Sequence, residues 1–349
     1  MQLQLEAADS LVKARAEPGA LLLDRRPLPA LGAQDVLVRV HSAAICGTDL
    51  HLYKWNNWAS RHYHPPFPLG HEFSGVILEV GAGVTRLTEG ERVVAETHLS
   101  CGHCEQCRAN RRHTCLNLRL FSRLGRGCFC SHTVVPEQTL RKVPEQLDLR
   151  VAAIMEPLGV SVRAVMATEI RAARLLVIGC GPIGLFAVAA AKALGAATIV
   201  AVDPAPFRRQ LAAELGARHT LASLDDEADG SGAGAADFDV AIDASGHPGA
   251  IRAGLALLKP GGSLIIASLP SEAVSLDLAR HVVLREIVVR GVYGRLIDET
   301  WLQVENLLAA GTLDVRPILT HSFPLADYDR AFKTAASGEA GKVLFDFSG

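Results

Sequence analysis

The segment Gly179-Cys-Gly-Pro-Ile-Gly184 constrains the fold more than any other feature of this chain. It follows Leu175–Ile178, a continuous apolar run typical of a strand buried on both faces, and it opens a helical segment. Glycines at this spacing permit a tight turn, let the backbone approach a pyrophosphate and let the helix pack closely on the strand. The helix N-terminus then offers free amide groups to phosphates. The motif predicts a dinucleotide-binding βαβ unit, and a βαβ turn without a ligand is the alternative.

Strands and helices alternate around this motif, which indicates an α/β protein with a doubly wound parallel sheet. The predicted strands lie at 198–202, 240–243 and 264–267, and the predicted helices at 184–194, 208–215 and 250–258. The first 150 residues read instead as β-rich, with strands at 36–40, 75–80 and 91–95. A loop is predicted at 225–236, and a terminal strand at 342–347 could return to the first domain. We therefore expect one domain over 1–156 and 295–349 and a second over 157–294.

Asp203 ends the second predicted strand of the nucleotide-binding half, 19 residues beyond Gly184. A carboxylate there can accept both hydroxyls of an adenosine ribose and would repel a 2′-phosphate, which favours NAD over NADP. Arg208 complicates this inference, because a guanidinium could also meet a phosphate. We interpret Arg208 as packing over the adenine or balancing Asp203.

Four cysteines lie within fifteen residues in the pattern C-x2-C-x2-C-x7-C: Cys101, Cys104, Cys107 and Cys115. Four thiolates this close can complete a tetrahedral shell and leave no open position, so the pattern predicts a structural zinc. An iron–sulfur cluster is the alternative for C-x2-C-x2-C spacing. Disulfides are not expected, because the chain starts without the basic and apolar blocks of a signal peptide.

A second group of metal-ligating residue types is dispersed along the chain: Cys46, His71, Glu72 and Glu156. A mixed shell with three protein ligands leaves a position for substrate, which is the arrangement of a catalytic zinc. Spacing alone does not prove that these residues meet. The competing interpretation of His71 is a surface or hydrogen-bonded core histidine.

Composition restricts the partners. The formal net charge is −2, which gives no electrostatic reason to expect nucleic acid. No uninterrupted apolar run approaches the roughly 20 residues of a membrane span. With 49% apolar residues the chain has enough material for a sizeable core. We expect a cytoplasmic globular protein with a small-molecule substrate.

A four-Cys lobe after Gly70-His-Glu72, followed by the Gly-x-Gly-x-x-Gly unit, resembles the zinc-containing medium-chain alcohol dehydrogenase superfamily over essentially the whole chain. The resemblance implies a GroES-like catalytic domain, a Rossmann NAD domain, two zinc ions per subunit, a homotetramer and oxidation of a secondary alcohol with hydride transfer to NAD. Cys46, His71 and Glu72 would bind the catalytic zinc, Glu156 would lie beside it, and Thr48 and His51 would relay the hydroxyl proton. The residues implied to line NAD, besides Gly179, Gly181, Gly184, Asp203 and Arg208, are Ile183, Ala267, Ser268, Leu269, Val292 and Tyr293.

Within the superfamily, the segments Cys46–Trp58 and Tyr293–Trp301 resemble the threonine dehydrogenases. That likeness implies oxidation of L-threonine to 2-amino-3-oxobutanoate. Arg295 is a candidate partner of the substrate carboxylate, and a surface or interface salt bridge is the alternative for it. Val160 departs from the asparagine usual there and resembles sorbitol-type enzymes. A polyol or sugar-alcohol substrate is therefore the alternative.

Overall fold

A computed structural model describes residues 7–224, 237–270 and 272–348, with the side chain of Ser122 also left out. The loop expected at 225–236 lies outside the described residues. The chain divides into two compact units. Unit 1 comprises Met1–Glu156, Leu319–Ser337 and Lys342–Gly349, and unit 2 comprises Pro157–Ile318 and Gly338–Gly341.

Unit 1 is built mainly from antiparallel strands. They are β1 (Ala7–Lys13), β2 (Leu21–Pro27), β3 (Asp35–Ala44), β4 (Phe67–Pro68), β5 (Glu72–Val80), β6 (Arg92–Ala95), β7 (His98–Leu99), β8 (Arg119–Leu120), β9 (His132–Pro136), β10 (Leu140–Lys142), β17 (Leu319–Phe323) and β18 (Lys342–Asp346). The largest sheet has the order β10-β6-β5-β3-β18-β17, with β9 also paired to β3. Smaller sheets join β2-β1-β4 and β7-β8. The β-rich first domain predicted from the sequence is present.

Short helices connect the strands of unit 1: α1 (Gly47–Lys54), α2 (Asn57–His62), α3 (Glu105–Arg108), α4 (Leu149–Ala152) and, near the C-terminus, α11 (Tyr328–Ala336). Aromatic side chains fill the space under the main sheet. The rings of Phe129 and Phe345 meet edge to face with centroids 4.9 Å apart, and Phe332 packs on the same pair. Phe345 belongs to β18, so the last strand is part of this core and supports the loops that β3 and β5 present.

Unit 2 is a six-stranded parallel sheet with the order β13-β12-β11-β14-β15-β16. Its strands are β11 (Arg174–Ile178), β12 (Thr198–Val202), β13 (His219–Leu221), β14 (Phe238–Asp243), β15 (Leu258–Ile266) and β16 (Val288–Gly291). Its helices are α5 (Met155–Val165, beginning in unit 1), α6 (Pro182–Ala193), α7 (Pro206–Leu215), α8 (Pro248–Ala256), α9 (Leu278–His281) and α10 (Ile297–Ala309). This is the doubly wound arrangement that the alternating pattern predicted.

Burial explains why the central strands carry uninterrupted apolar runs. Leu175–Ile178 in β11 and most of α6 are buried, so strand and helix pack face to face without polar side chains between them. Parallel strands end together at one edge of the sheet. The order reverses at β11, so the crevice beyond its carboxyl end is where ligands bind in such sheets.

The end of the chain returns to unit 1, as the sequence suggested: β18 pairs antiparallel with β3, with Leu344 opposite Ala44. The division differs from expectation at residue 295. Residues 295–318 stay with unit 2, because the methylene groups of Arg295 and the methyl group of Thr300 lie over Gly159 on α5. Across the described residues, no helix has the length and apolarity needed to span a membrane.

Candidate active site

The register between β3 and β5 brings the dispersed residues of unit 1 together. Ala44 pairs with Glu72, so Cys46, just beyond the end of β3, lies beside the start of β5. One ligand atom each from Cys46, His71 and Glu72 lies within 4.8 Å of the other two. His71 and Glu72 are buried, and Cys46 is partly exposed at the N-terminus of α1. A thiol, an imidazole and a carboxylate at this spacing form a three-ligand set.

Asp49 contacts two members of this set, Cys46 and His71. Its Oδ2 accepts a hydrogen bond of 2.9 Å from the Cys46 backbone N–H, and its Oδ1 lies 3.8 Å from His71 Nδ1. Burial raises the pKa of Asp49. Burial by itself would lower the pKa of His71, but the negative charges of Cys46, Asp49 and Glu72 raise it well above its ordinary value. A metal ion would therefore have to displace a proton from His71.

A buried ion pair holds Glu72 in place. The Lys342 ammonium on β18 lies 2.6 Å from Glu72 Oε2, and the two side chains are 2% and 0% exposed. The second oxygen, Oε1, has no hydrogen-bond partner although it is buried. An unsatisfied buried carboxylate oxygen is costly unless another group completes its coordination. The residues present therefore fit a zinc ion bound by Cys46, His71 and Glu72.

Glu156 lies next to this set rather than within it. Its Oε1 accepts a hydrogen bond of 2.7 Å from the Thr97 hydroxyl, and the side chain is buried. Burial raises the pKa of Glu72 and the charge of Glu156 raises it further, while Lys342 opposes both. Two carboxylates therefore share one ammonium beside the cluster, and the Lys342 charge only partly offsets the rise in the pKa of Glu72.

Thr48 and His51 are both on α1, three residues apart, which places them on one face of the helix. Thr48 is half-buried and His51 is exposed. The His51 ring contacts Asn56, whose Nδ2 lies 2.7 Å from Nδ1, and its centroid lies 5.7 Å from that of Trp58. The sequence predicted both α1 residues but gave no signal for Asn56.

The four cysteines of the lobe converge on one point. Sulfur–sulfur distances are 3.5 Å between Cys104 and Cys107, 3.8 Å between Cys104 and Cys115 and 4.0 Å between Cys101 and Cys107. Zinc–sulfur bonds of about 2.3 Å in a tetrahedron require sulfurs about 3.8 Å apart. Backbone N–H groups, that of His103 first, lower the pKa of Cys101 to about 5 and so favour its thiolate form. The four sulfurs fit a closed zinc site.

Unit 2 contains a cavity of about 690 Å³ at the carboxyl ends of its strands. Four predicted cofactor residues line it: Gly179, Gly181, Asp203 and Arg208. A Cβ added to Gly181 would meet no atom within 4 Å, so this glycine borders open space beside the N-terminus of α6. The cavity fits a dinucleotide whose pyrophosphate lies against this turn.

Asp203 is oriented by the backbone. Its Oδ2 accepts from the Cys180 N–H and its Oδ1 from the Ala205 N–H, both at 2.8 Å. Gly184 is buried and lies where helix and strand make their closest approach, 1.8 Å from its potential Cβ to Gly179 O. Ile183 accepts a backbone hydrogen bond of 2.8 Å from the Ser161 hydroxyl.

Ala267, Ser268 and Leu269 follow β15, and Val292 and Tyr293 follow β16. Leu269 and Tyr293 are 77% and 48% exposed. These five residues do not line the cavity, although they lie at the same carboxyl edge of the sheet. Arg295 is only 1% exposed, so the surface position considered for it from the sequence is wrong.

Sequence reasoning missed Asp243 and the residues that follow it. The Asp243 carboxylate accepts from the backbone N–H groups of Ser245 and Gly246 and from the hydroxyls of Ser245 and Ser268. Ser245 and His247 line the cavity. Their signal was available, because they follow the strand that neighbours β11 and must lie at the switch point of a doubly wound sheet.

Comparison with known families agrees with this geometry. Residues 32–145 match the alcohol dehydrogenase GroES-like domain, and residues 182–310 match the zinc-binding dehydrogenase family. The chain belongs to the zinc-containing medium-chain alcohol dehydrogenases. It is an alcohol dehydrogenase whose cofactors are NAD and two zinc ions.

Among individual proteins, the chain is 39% identical to the L-threonine 3-dehydrogenase of Bacillus subtilis (strain 168), covering 96% of this chain and 97% of that protein. The structure superposes on a zinc-binding dehydrogenase from Sinorhizobium meliloti 1021 bound to NADP, with a TM-score of 0.87 and 27% identity, covering 97% and 99% of the two chains. It also superposes on the 2R,3R-butanediol dehydrogenase of Bacillus subtilis, with a TM-score of 0.84, 26% identity and the same coverage.

Proposed function

We propose that this enzyme oxidises L-threonine to 2-amino-3-oxobutanoate, with NAD reduced to NADH and one proton released. The observation that carries the proposal is the three-ligand set of Cys46, His71 and Glu72, whose Glu72 Oε1 has no hydrogen-bond partner. L-threonine is favoured by the 39% identity to a threonine dehydrogenase over 96% of the chain.

Cys46, His71 and Glu72 hold the catalytic zinc, and Cys101, Cys104, Cys107 and Cys115 hold the structural one. When bound, the catalytic zinc supplies Lewis acidity toward the substrate hydroxyl and NAD supplies the hydride acceptor. Asp49 positions Cys46 by accepting a hydrogen bond from its backbone N–H, and the Asp49 carboxylate places negative charge 3.8 Å from His71 Nδ1. Lys342 holds Glu72 in place, and its charge opposes the rise in the pKa of Glu72 that burial causes.

Thr48 and His51 remove the proton. The Thr48 hydroxyl can accept a proton from the substrate hydroxyl while donating its own, and His51 one turn away on α1 receives it and passes it to water. The exposure of His51 supports this role, because a terminal relay group must exchange protons with solvent. Glu156 lies beside the zinc site, where its carboxylate can orient water or substrate.

The cavity of unit 2 binds NAD. Gly179 and Gly181 would hold the pyrophosphate, Asp203 would accept hydrogen bonds from the adenosine-ribose hydroxyls, and Arg208 would pack over the adenine or balance Asp203. Gly184 keeps α6 close to the sheet, and Ile183 extends along the cofactor. Ala267–Leu269 and Val292–Tyr293 complete the site toward the nicotinamide.

A polyol or sugar alcohol is the second candidate substrate. Val160 favours it, because this position carries asparagine in threonine dehydrogenases and resembles sorbitol-type enzymes. The 26% identity to a butanediol dehydrogenase also favours a polyol substrate. The fold, metal and cofactor assignments are the same for either substrate.

A substrate panel distinguishes the two candidates. Initial rates of NADH formation would be measured with zinc-replete enzyme on L-threonine, sorbitol, xylitol and 2,3-butanediol. A site built for a zwitterion should prefer L-threonine by about 10³-fold or more in kcat/KM, because its polar groups are left unpaired by neutral polyols. A preference for any of the three neutral substrates would refute L-threonine and support the alternative.

A homotetramer in the cytoplasm completes the proposal. The edge strand β16 is exposed along its length, and Leu278, Val283 and Leu284 nearby are 61%, 68% and 81% exposed. Unpaired strand edges with apolar neighbours favour pairing with a second copy. Light scattering coupled to size-exclusion chromatography would return four times 37.1 kDa for the tetramer. A monomeric mass would exclude it.

A further inference from the structure

The end of α1 folds back on itself at Trp55. This residue adopts a left-handed conformation, with φ 49° and ψ 50°. The backbone N–H groups of Trp55 and Asn56 are both directed at the carbonyl of His51. The turn therefore places the Asn56 side chain against the His51 ring, at the start of α2.

The orientation of the Asn56 amide follows from α2. Its Oδ1 accepts a hydrogen bond of 3.1 Å from the backbone N–H of Ala59 and so caps the helix. A backbone N–H only donates, so the atom that it meets must be the amide oxygen, and the other atom must be the NH2 group. That nitrogen lies 2.7 Å from His51 Nδ1.

An amide nitrogen only donates, and therefore His51 Nδ1 accepts. A neutral imidazole carries one proton, which must then be on Nε2. We propose that Asn56 is a positioning residue for His51: its amide fixes the neutral ring in the Nε2–H form and covers Nδ1, the one lone pair through which the ring can accept a proton. The consequence for turnover rests on the relay proposed above, whereas the tautomer does not.

Protonation of His51 must disturb this arrangement. A proton on Nδ1 faces the NH2 group of Asn56, and rotating the amide to present its oxygen would remove the cap from Ala59. Among the described residues, the charge of Lys54 on α1 acts on the ring, and His62 on α2 stacks on Trp58, whose ring centroid lies 5.7 Å from that of His51. Partial loss of solvent around the ring and the charge of Lys54 also lower the pKa of His51. All of these contacts favour the neutral ring, and a proton taken up at Nδ1 must displace the Asn56 amide.

The substitution Asn56→Asp replaces the amide donor that faces His51 Nδ1 with a carboxylate acceptor. It keeps the helix cap, because aspartate caps helices as well as asparagine does. Its second oxygen can only accept, so the neutral ring should change to the Nδ1–H form. The pKa of His51 should rise by about one unit beside the new carboxylate. Asn56→Ser keeps a capping oxygen but is too short to reach the ring, and should raise the pKa by less.

The experiment uses the full-length holoenzyme labelled with ¹⁵N at histidine, with His51→Gln to assign the resonance among 13 histidines. Ring ¹⁵N shifts report the tautomer and their titration reports the pKa. Asn57→Asp is the matched control, since it adds the same charge one residue away and should leave the tautomer unchanged. The expected result is an Nε2–H wild type and an Nδ1–H Asn56→Asp variant.

The same tautomer in wild type and Asn56→Asp would overturn the inference, as would an Nδ1–H wild type. The pH dependence of kcat tests the relay separately. Its acidic limb should move upward with the pKa of His51 in Asn56→Asp. A changed tautomer with an unmoved profile would support the positioning role and refute the relay.

Discussion

Alanine at Gly184 and alanine at Gly181 should affect the enzyme in different ways. A Cβ on Gly184 would lie 1.8 Å from the backbone oxygen of Gly179, which is 1.2 Å inside the 3.0 Å closest approach. Because the obstacle is backbone, α6 and β11 must move apart. Overpacking of this kind costs about 3 kcal/mol. For a domain the size of unit 2, that lowers the melting temperature by about 10 °C.

Gly181 presents the opposite case. Its φ of −64° suits alanine, and a Cβ there would meet no protein atom within 4 Å. The stability of Gly181→Ala should therefore stay within about 0.5 kcal/mol of wild type. The added methyl group would fill space that the pyrophosphate needs. NAD affinity should fall about 100-fold, equivalent to about 2.7 kcal/mol.

Calorimetric titration with NADH and thermal unfolding of both variants test this reasoning, and each variant serves as the control for the other. Gly184→Ala should lose stability and affinity together, whereas Gly181→Ala should lose affinity alone. Wild-type affinity in Gly181→Ala would refute the placement of the pyrophosphate against this turn. A wild-type melting temperature in Gly184→Ala would refute the close packing.

Three further predictions concern the metal sites. Cys104→Ser should reduce the zinc content from two ions to one per chain by elemental analysis, and two retained ions would argue against a four-sulfur site. Lys342→Met leaves the buried Glu72 carboxylate without its cation and should cost about 3–5 kcal/mol in denaturant unfolding of the metal-free protein. The loss should be smaller with zinc bound, and equal losses in both forms would contradict this. Zinc affinity should rise up to about tenfold per pH unit below the raised pKa of His71, because binding displaces its proton. Competition with a chelator at several pH values measures this, and a flat profile would contradict it.

Much of unit 2 was predictable, because the residue types that its buried strands and tight turns require are visible in the local sequence. A β strand buried on both faces must be apolar throughout, and the turn after it must be glycine where backbone meets backbone. The edge of unit 2 was less predictable. Residues 295–318 remain with it because of long-range packing of Arg295 over Gly159, which no local pattern encodes.

The convergence of Cys46, His71 and Glu72 depends on the register between paired strands, which the sequence does not contain. Cys46 meets Glu72 only because β3 and β5 align Ala44 with Glu72. Lys342 begins an apolar strand and would ordinarily be exposed, yet it is buried because it forms an ion pair with Glu72. The contact of Asn56 with His51 depends on a left-handed Trp55, a conformation that residues other than glycine rarely adopt.

The most direct test of the account uses L-threonine carrying deuterium at C3, with NAD and zinc-replete enzyme. Wild-type enzyme should produce NADH that contains the deuterium, because the hydride leaves the carbon that bears the hydroxyl. Cys46→Ser, with its four-cysteine lobe intact, should form almost none. Unlabelled NADH from wild type, or full turnover by Cys46→Ser, would contradict oxidation of this substrate at the Cys46–His71–Glu72 site.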